Sequence, residues 1–230
     1  MAILLTGLPC SAIIADMMKW QSSFDIVFKR LDLARSEVLR RFDSFDPAEW
    51  SIVVGSPKWE VHPDRIVGGG PDVATHGQIF CATPVAGDVV MEFDARIIPP
   101  CDHDLVWFWN TRLDAKPWGV GYLGCLGGWF SDMAGIEKLP DCGVSAIAPS
   151  FRTEPGRTYH VVSGSIGATH FIFVDGALAT YFSDTAYPKE GPGHFGFGIY
   201  ESWAEYSNLI VYRPFCTPLH PSYRKKGQTP

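Results

Sequence analysis

Two side chains in the second half of the chain could exchange protons with a bound substrate. Glu137 follows the apolar approach Ala-Gly-Ile, and partial burial there would raise the pKa of its carboxyl group towards neutrality. His160 carries an imidazole, which can accept or donate a proton near its ordinary pKa of about 6.5. We therefore predict an acid/base centre of Glu137 and His160, with His170 as a further catalytic candidate. The alternative for each is a structural role as an ion-paired or hydrogen-bonded residue.

A second set of side chains could hold a sugar. Aromatic faces cover the apolar faces of a pyranose, while carboxylates, amides and hydroxyls bond to its hydroxyl groups. Trp129 is the stacking candidate, because Gly127-Gly128 before it leaves room for a ligand to approach closely. The alternative is that Trp129 packs over a glycine-rich bend. The other substrate-binding candidates are Gln78, Asn110, Tyr122, Lys138, Tyr200 and Glu201.

These residues leave two forms of glycosidic cleavage open. Elimination needs a base that removes the proton next to a uronate carboxyl, and a group such as Gln78, Asn110 or Lys138 that neutralises the carboxylate. Hydrolysis needs two carboxyls, about 5 to 5.5 Å apart for retention and about 6.5 to 9.5 Å for inversion. Lys138 directly follows Glu137, so on an ideal strand the two side chains point to opposite sides.

Several other functions are excluded by motif and charge. The sequence contains no nucleophile elbow, phosphate-binding loop, zinc-protease motif or dinucleotide fingerprint. A net charge of −6 argues against a nucleic-acid partner. No apolar run reaches the roughly 18 to 20 residues of a transmembrane segment. No cofactor is expected: Asp88, Asp102 or Asp104 could bind calcium, but no contiguous acidic cluster supports such a site.

The composition is that of a globular protein with a large aromatic core. The chain has 230 residues, of which 46% are hydrophobic and 13% aromatic, including 8 Trp. The six cysteines match no metal-binding spacing and form no C-x-x-C pair, which favours a reduced, cytoplasmic protein. The apolar segment Met1–Asp16 keeps secretion as the alternative, although it lacks a basic start.

From Phe42 onward the pattern is typical of an all-β fold. Short runs rich in Val, Ile, Phe, Tyr and Trp alternate with Gly, Pro, Asp and Asn clusters, and about a dozen strands at this spacing predict two packed antiparallel sheets. Asp175-Gly176 predicts a hairpin with a primed turn. The predicted strands are Trp50–Val54, Trp59–Val61, Arg65–Val67, Gln78–Cys81, Asp88–Ile98, Asp104–Thr111, Gly119–Leu126, Ala134–Lys138, Thr158–Ser165, His170–Val174, Ala177–Phe182, His194–Tyr200 and Ala204–Tyr212.

The strand Asp104–Thr111 presents two different faces. Because successive side chains alternate, one face combines two polar with two apolar residues, and the other is dominated by large apolar ones. We predict that the face with Asn110 reaches solvent, because the side-chain amide of Asn110 needs polar hydrogen-bond partners. The first face carries Asp104, Val106, Phe108 and Asn110, and the second carries Leu105, Trp107, Trp109 and Thr111.

The segment before the β-region has a different predicted structure. Between Ser22 and Phe42, apolar residues such as Phe24, Phe28 and Leu31 recur at helical spacing, which predicts an accessory helix. The predicted organisation is an N-terminal apolar segment with this helix (1–41), a sandwich domain (42–213) and an irregular tail (214–230).

Seven phrases distributed over residues 77 to 176 carry a family resemblance. Through these phrases the chain resembles the YesU-like family of uncharacterised bacterial proteins, which belongs to the concanavalin-like and laminin G-like jelly rolls. The resemblance spans roughly residues 42 to 212. The resemblance implies a jelly-roll β-sandwich and an association with pectin-like polysaccharides, but no settled reaction. The phrases are GQIFC (77–81), VMEFDAR (90–96), DLVWFWNT (104–111), GGW (127–129), GIEK (135–138), EPGRTYH (154–160) and FIFVDG (171–176).

Three functions are compatible with these observations. The first, which the titratable candidates favour, is a carbohydrate-active enzyme that cleaves a glycosidic bond by elimination or hydrolysis. The second is a non-catalytic carbohydrate-binding module. The third is a small-molecule enzyme, for instance of secondary metabolism, built on the same sandwich. The expected ligand is a saccharide or another small molecule, and the sequence leaves the oligomeric state open.

Overall fold

The computed structural model describes residues 20–55, 58–71, 76–113, 119–128, 133–149, 151–186 and 191–220. Regular structure in these residues is almost entirely β-strand, apart from short turns such as the 3₁₀ turn η1 (Leu33–Arg35). No helix in the described part is long and apolar enough to cross a membrane. The predicted all-β class is therefore confirmed.

Nineteen strands follow one another in the described residues. The strands predicted from Trp50 onward are found with bounds that shift by at most two residues, and β8, the edge strand β13 and β19 are additional. The strands are β1 (Ser23–Ile26), β2 (Lys29–Asp32), β3 (Glu37–Arg41), β4 (Ile52–Gly55), β5 (Trp59–His62), β6 (Arg65–Gly68), β7 (His76–Phe80), β8 (Val85–Ala86), β9 (Val90–Ile97), β10 (Leu105–Arg112), β11 (Val120–Gly127), β12 (Met133–Lys138), β13 (Gly143–Pro149), β14 (Thr158–Ile166), β15 (Thr169–Val174), β16 (Ala177–Ser183), β17 (Pro192–Tyr200), β18 (Ala204–Arg213) and β19 (Cys216–Pro218).

Two eight-stranded antiparallel sheets form the sandwich. In the front sheet the order is β13-β12-β11-β10-β17-β7-β4, with β8 also paired to β17. In the back sheet the order is β16-β15-β14-β9-β18-β6-β5, with β3 also paired to β18. Strands distant in sequence, such as β10 and β17, are neighbours, so the fold depends on long-range pairing.

Large aromatic side chains fill the space between the two sheets. Phe93 of the back sheet lies with its ring centroid 5.5 Å from that of Trp107 and 5.4 Å from that of Phe197. Phe197 also stacks on Tyr206 at 4.2 Å. Burial of these rings stabilises the sandwich, because it removes a large apolar area from water and allows favourable ring geometry.

One hydroxyl group ties the two sheets together. The Tyr206 hydroxyl, from β18, donates to the carbonyl of Gly198 at 2.9 Å and accepts from the amide of Val106 at 2.9 Å. Val106 and Gly198 are register partners on β10 and β17 of the front sheet. The back sheet therefore holds two front-sheet strands at a defined position.

The predicted hairpin at Asp175-Gly176 is confirmed. Both residues have positive φ, 50° for Asp175 and 82° for Gly176, as a type I′ turn requires. The turn pairs Val174 with Ala177 and so fixes the register of β15 and β16.

The predicted helix between Ser22 and Phe42 is wrong, because this segment forms β1, β2, η1 and β3. Phe28, which was assigned to the apolar helical face, is 54% exposed. The buried residues instead alternate, with Phe24 and Ile26 on β1 and Leu31 and Leu33 on and after β2. Each of the three strands has only four or five residues, so the alternation within a strand does not extend over a window long enough to distinguish it from helical spacing.

A small third sheet covers the outer face of the back sheet. Its order is β1-β2-β19, and β19 belongs to the segment that was predicted to be irregular. Phe24 packs against Phe173 of the back sheet at 4.8 Å between ring centroids. The outer face of the back sheet is thus partly closed to ligands.

Candidate functional site

A cavity of about 600 Å³ opens on the outer face of the front sheet. Its volume lies within the range of roughly 300 to 1,000 Å³ that small-molecule sites occupy. We call it the front cavity. It is lined by Gly77, His103, Asp104, Val106, Phe108, Leu123, Cys125, Gly127, Gly128, Glu137, Leu139, Cys142, Gly198, Ile199 and Tyr200.

The floor of the front cavity is apolar and follows from strand register. Val106 of β10 lies between Cys125 of β11 and Gly198 of β17. A Cβ atom on Gly198 would come within 2.7 Å of the Phe108 ring, so only glycine lets that ring approach β17. The floor therefore offers an apolar surface with open space above it.

The predicted division of β10 into two faces is confirmed. Asp104, Val106 and Phe108 line the front cavity, whereas Trp107 and Trp109 are buried between the sheets. This is the orientation that was expected from the polar requirement of Asn110.

Asn110 itself does not line the front cavity. It has a φ of 51° at an irregularity in the β10 register. Its side chain donates to the carbonyl of Gly87 at 2.7 Å and accepts from the Ser165 hydroxyl at 3.0 Å. Both parts of the amide are thus used to join the strand to neighbouring segments.

Asp104 places a carboxyl group in the wall of the front cavity. The residue is 8% exposed, and its Oδ1 atom accepts a hydrogen bond from the Cys125 thiol at 3.2 Å. Burial raises its pKa to about 6, although the Cys125 hydrogen bond and the His103 charge act in the opposite direction. The carboxyl group therefore changes charge just below neutral pH.

The glycine pair before Trp129 allows the backbone to pass over this carboxyl. A Cβ atom on Gly128 would lie 2.5 Å from the Cys125 sulfur and 2.9 Å from Asp104 Oδ1. Gly127 has a φ of +72°, which favours glycine. Trp129 lies outside the described residues, so its stacking role stays a prediction.

Glu137 supplies a second carboxyl group. It pairs with Leu123 on the outer face of the front sheet and lines the front cavity. The pKa of the Cys125 thiol is raised well above its ordinary value by burial, by Asp104 and by the charge of Glu137. The thiol thus lies within electrostatic range of both carboxyl groups.

Lys138 and Tyr122 are on the other side of the same sheet. The two residues are register partners on β12 and β11. The Lys138 ammonium contacts Asp184 Oδ2 at 2.6 Å, and the Tyr122 hydroxyl donates to the same atom at 2.6 Å. Both substrate-binding candidates therefore face away from the front cavity, as alternation on an ideal strand requires for Lys138.

Tyr200 provides an accessible aromatic face at the rim of the front cavity. Its side chain is 50% exposed and stacks on His76, with ring centroids 5.2 Å apart and planes at 18°. The imidazole restricts the orientation of the phenol ring. Glu201, the next residue, is exposed, and its charge contributes to the raised pKa of Asp104.

Gln78 lies beside the front cavity without lining it. It occupies β7 between Gly198 and Val54 and alternates with the core residue Ile79, so it shares the outer face. It is fully buried, and neither its amide nitrogen nor its amide oxygen has a hydrogen-bond partner among the described residues. An unsatisfied buried amide costs about 1 to 3 kcal/mol.

His160 is on the opposite side of the molecule from Glu137. The neighbouring Val161 packs in the core between the sheets, so His160 faces outward from the back sheet. Glu137 faces outward from the front sheet, and both sheets separate the two side chains. The predicted acid/base centre is therefore not formed in this fold.

His160 instead belongs to a cluster of ion pairs on β9 and β14. Its ring nitrogens lie 2.9 Å from Asp94 Oδ1 and 3.3 Å from Glu92 Oε1, and Trp20 stacks on the ring at 4.3 Å. Burial lowers the pKa of His160, but the hydrogen bonds and charges of Asp94 and Glu92 outweigh this and raise it to about 9. The imidazole is therefore a cation at neutral pH.

His170 is fully buried between the sheets. The indole N–H of Trp109 donates to its Nδ1 atom at 3.3 Å, and the Tyr122 ring lies 3.7 Å away between centroids. Burial lowers the pKa of His170 to about 3. The ring is neutral and inaccessible, and the catalytic role predicted for it has no geometric support.

The described residues contain no group of three or more His, Cys, Asp or Glu side chains arranged to hold a metal ion. Asp88 accepts from the amide of Gly167, and Asp102 pairs with His103. The five cysteines in the described part of the chain, Cys81, Cys101, Cys125, Cys142 and Cys216, are free thiols.

Among the residues that line the front cavity, Asp104, Cys125 and His103 were not selected as site residues from the sequence. Asp104 was considered there as a calcium ligand and as part of the strand face that carries Asn110. A usable signal was the Gly-x-Gly spacing of Gly196 and Gly198 on β17, which leaves the middle of one face of this strand without side chains. Such a gap in a sheet surface indicates space for a ligand or a packed ring.

The fold and the site define the chain as a galectin-like jelly-roll β-sandwich with a ligand-sized cavity on one outer face. No family model matches the sequence, and no curated protein matches it significantly. The resemblance to the YesU-like family is therefore confirmed only at the level of the fold.

Three solved structures with this fold share 11 to 17% sequence identity with the chain. One is a protein of unknown function with a galectin-like fold from Bacillus subtilis (TM-score 0.62, 13% identity, 77% of this chain and 96% of that chain). A second is the carbohydrate-binding module CBM66 from Bacillus subtilis (TM-score 0.56, 17% identity, 71% and 97%). A third is the exoplasmic/lumenal domain of VIP36 bound to Ca²⁺ and Man3GlcNAc (TM-score 0.57, 11% identity, 84% and 93%).

Proposed function

We propose that the protein binds a saccharide in the front cavity and does not cleave it. The observation that carries the proposal is the cavity itself, which combines an apolar floor, a carboxyl group in its wall and the half-exposed Tyr200 ring at its rim. An aromatic face and a few hydrogen-bonding groups around an apolar surface are what a pyranose requires. Phe108 and Val106 supply the rest of the apolar contact.

The structural neighbours support the same class of ligand. CBM66 is a carbohydrate-binding module, and the VIP36 domain holds Man3GlcNAc in its structure. At this level of identity they support the fold directly and the ligand only by analogy. Saccharide binding is therefore proposed from the residues that line the front cavity.

Cleavage by elimination is disfavoured by where the candidate groups lie. The predicted base, His160, is on the back sheet. The predicted neutralising cation, Lys138, is paired with Asp184 on the inner side of the front sheet. Hydrolysis is the second candidate function, because Asp104 and Glu137 share the front cavity and the pKa of Asp104 is raised to about 6. A general acid needs a raised pKa of this kind.

The test of binding is the replacement of Tyr200 by alanine. Loss of a stacking ring at a binding site costs more than about 1 kcal/mol, so we expect saccharide affinity to fall by about fivefold or more. The measurement is binding to an array of neutral and charged oligosaccharides, followed by calorimetric titration of those bound. Tyr181→Ala is the matched control, because Tyr181 is 46% exposed on β16 of the other sheet.

Equal loss of affinity in both tyrosine variants, or none in Tyr200→Ala, would show that the front cavity is not the binding site. The same oligosaccharides, incubated with the protein and assayed for new reducing ends, distinguish the second candidate function. Release that is abolished in Asp104→Asn would establish hydrolysis in place of simple binding.

A further inference from the structure

We infer that the front cavity selects uncharged saccharides and rejects uronates, with Asp104 as the acceptor for ligand hydroxyl groups. This inference rests on the proposed saccharide binding and specifies its substrate class. It reverses the charge preference that a uronate-directed enzyme would need.

The charges around the front cavity support a preference for uncharged saccharides. Asp104 and Glu137 both line it, and no described lining residue is lysine or arginine. The imidazole of His103, which also lines it, is hydrogen-bonded to Asp102 at 2.8 Å. A bound carboxylate would therefore meet two like charges, and like charges placed together at an interface weaken binding.

Lys138, the cation next to Glu137 in the sequence, forms an ion pair outside the front cavity. Lys138 follows Glu137, but it lies on the inner face of the front sheet and pairs with Asp184. Tyr122 donates to the same Asp184 atom, which anchors that carboxylate and its cation away from the front cavity. The carboxylate of a bound uronate would need charged or strong hydrogen-bond donors to stabilise it. With Lys138 on the inner face, β12 provides no Lys or Arg donor to the front cavity.

The apolar floor of the front cavity also favours a neutral sugar over a uronate. A uronate carboxylate placed over Val106, Phe108 and Leu123 would lose hydration without gaining a partner, which is unfavourable for a charged group. A neutral sugar can instead lay an apolar face on this surface and direct its hydroxyl groups to the wall.

The geometry of Asp104 suits hydroxyl donors. Its Oδ1 atom accepts from the Cys125 thiol, and no described residue donates to Oδ2. The carboxyl group is thus held by one oxygen while the other stays available as an acceptor. A carboxylate accepts hydrogen bonds from hydroxyl groups but has no hydrogen to offer a second carboxylate.

The experiment compares sugars that differ only in charge. The probes are glucose and glucuronate, galactose and galacturonate, and mannose and mannuronate, each as the free sugar and as an array-displayed oligosaccharide, at pH 7.5. For any sugar that binds, we expect the neutral member to bind at least about tenfold more tightly than its uronate.

A double variant tests the cause of the selectivity. Asp104→Asn with Glu137→Gln removes both charges and keeps the side-chain shapes, and asparagine tolerates the positive φ of 61° at position 104. We expect discrimination between neutral sugar and uronate to fall below about threefold. The control is Asp64→Asn with Glu37→Gln, which removes two exposed charges outside the front sheet and should leave discrimination unchanged.

The outcomes separate the inference from the proposed function. Uronates that bind as tightly as neutral sugars, in a manner that depends on Tyr200, would overturn the inference and leave saccharide binding intact. Unchanged discrimination in the double variant would overturn the role of the carboxyl groups. Absence of binding to every probe would overturn the proposed function itself.

Discussion

Asp104 is the titratable residue on which ligand binding should depend most. Its pKa of about 6 lies above the ordinary value because the carboxyl is buried between β10 and the Gly127-Gly128 turn. A ligand hydroxyl that donates to the ionised carboxyl favours the ionised form, so binding is strongest above the pKa. Protonation removes that acceptor.

We therefore expect saccharide affinity to be constant above about pH 7 and to fall as the pH decreases through 6 to 5. The fall can reach about tenfold per pH unit while the free carboxyl is protonated and the bound one is not. Calorimetric titration between pH 5 and 8 measures it. The other titratable groups that face Asp104 are His103, Cys125 and Glu201.

The control for this prediction is Asp104→Asn, which cannot titrate at this position. Its affinity should be lower at pH 7.5 and nearly independent of pH. A variant that retained the full pH dependence of the parent protein would assign the titration to another group.

Replacement of Gln78 by an apolar residue should stabilise the folded protein, whereas most substitutions of buried residues destabilise it. Its amide is buried on the cavity-bearing face of β7 without a hydrogen-bond partner among the described residues. Methionine has a similar shape and no polar amide, so Gln78→Met should raise the free energy of unfolding by about 1 kcal/mol. Denaturant-induced unfolding, followed by tryptophan fluorescence, measures the change.

The opposite result is also informative. A loss of more than about 1 kcal/mol in Gln78→Met would show that the amide makes a stabilising contact in the folded protein. Ile79→Val, at the adjacent position facing the core, is the comparison, since a deleted methylene group there should cost about 0.5 to 1.5 kcal/mol.

Strand β18 positions the floor of the front cavity although it belongs to the back sheet. The Tyr206 hydroxyl bonds to Val106 on β10 and to Gly198 on β17, and both of these residues line the front cavity. Tyr206→Phe leaves a buried amide and a buried carbonyl without this partner. We expect the free energy of unfolding to fall by about 1 to 3 kcal/mol.

The same variant should weaken saccharide binding, because β10 and β17 would no longer be held at the position that shapes the floor. Tyr181→Phe is the control, since that side chain is exposed on β16 and should change neither quantity. Unaltered stability in Tyr206→Phe would show that the hydroxyl contacts contribute little to joining the sheets.

The whole molecule uses its two outer faces differently. The outer face of the front sheet carries the front cavity, while that of the back sheet is partly covered by β1, β2 and β19. His160, Glu92 and Asp94 lie on this back face, and Tyr212 donates to Glu92. Stability and binding should therefore respond to pH through different groups.

Global stability should decrease at alkaline pH because of His160. Its pKa is about 9 in the folded protein and about 6.5 when unfolded, so its stabilising effect is fully present below about 6.5 and is lost as the pH rises to 9. The total loss is on the order of 2 to 3 kcal/mol. Urea unfolding at pH 6, 7.5 and 9 measures it.

His160→Gln should remove most of this pH dependence and lower stability at pH 6, where Glu92 and Asp94 would lose their buried cation. His62→Gln is the control, because His62 contacts Glu60 at an exposed site and should have little effect. A parent protein whose stability is constant from pH 6 to 9 would contradict the role assigned to the His160 cluster.

Local features of the chain were predictable from the sequence alone. The alternation in Asp104–Thr111 determined that Val106 and Phe108 share one face and Trp107 and Trp109 the other. The Asp175-Gly176 pair determined its hairpin, and the same alternation separated Glu137 from Lys138. These properties depend on residues close together in the chain, so backbone geometry suffices to infer them.

Only the tertiary structure decided which faces meet. Glu137 and His160 are both outward-facing, but β12 and β14 belong to different sheets, and their order depends on pairing with strands far away in the sequence. The segment from Ser22 to Phe42 is extended because β2 pairs with β19 and β3 with β18, contacts that no local periodicity reveals. The raised pKa of Asp104 likewise follows from burial, a property of the assembled sandwich rather than of neighbouring residues.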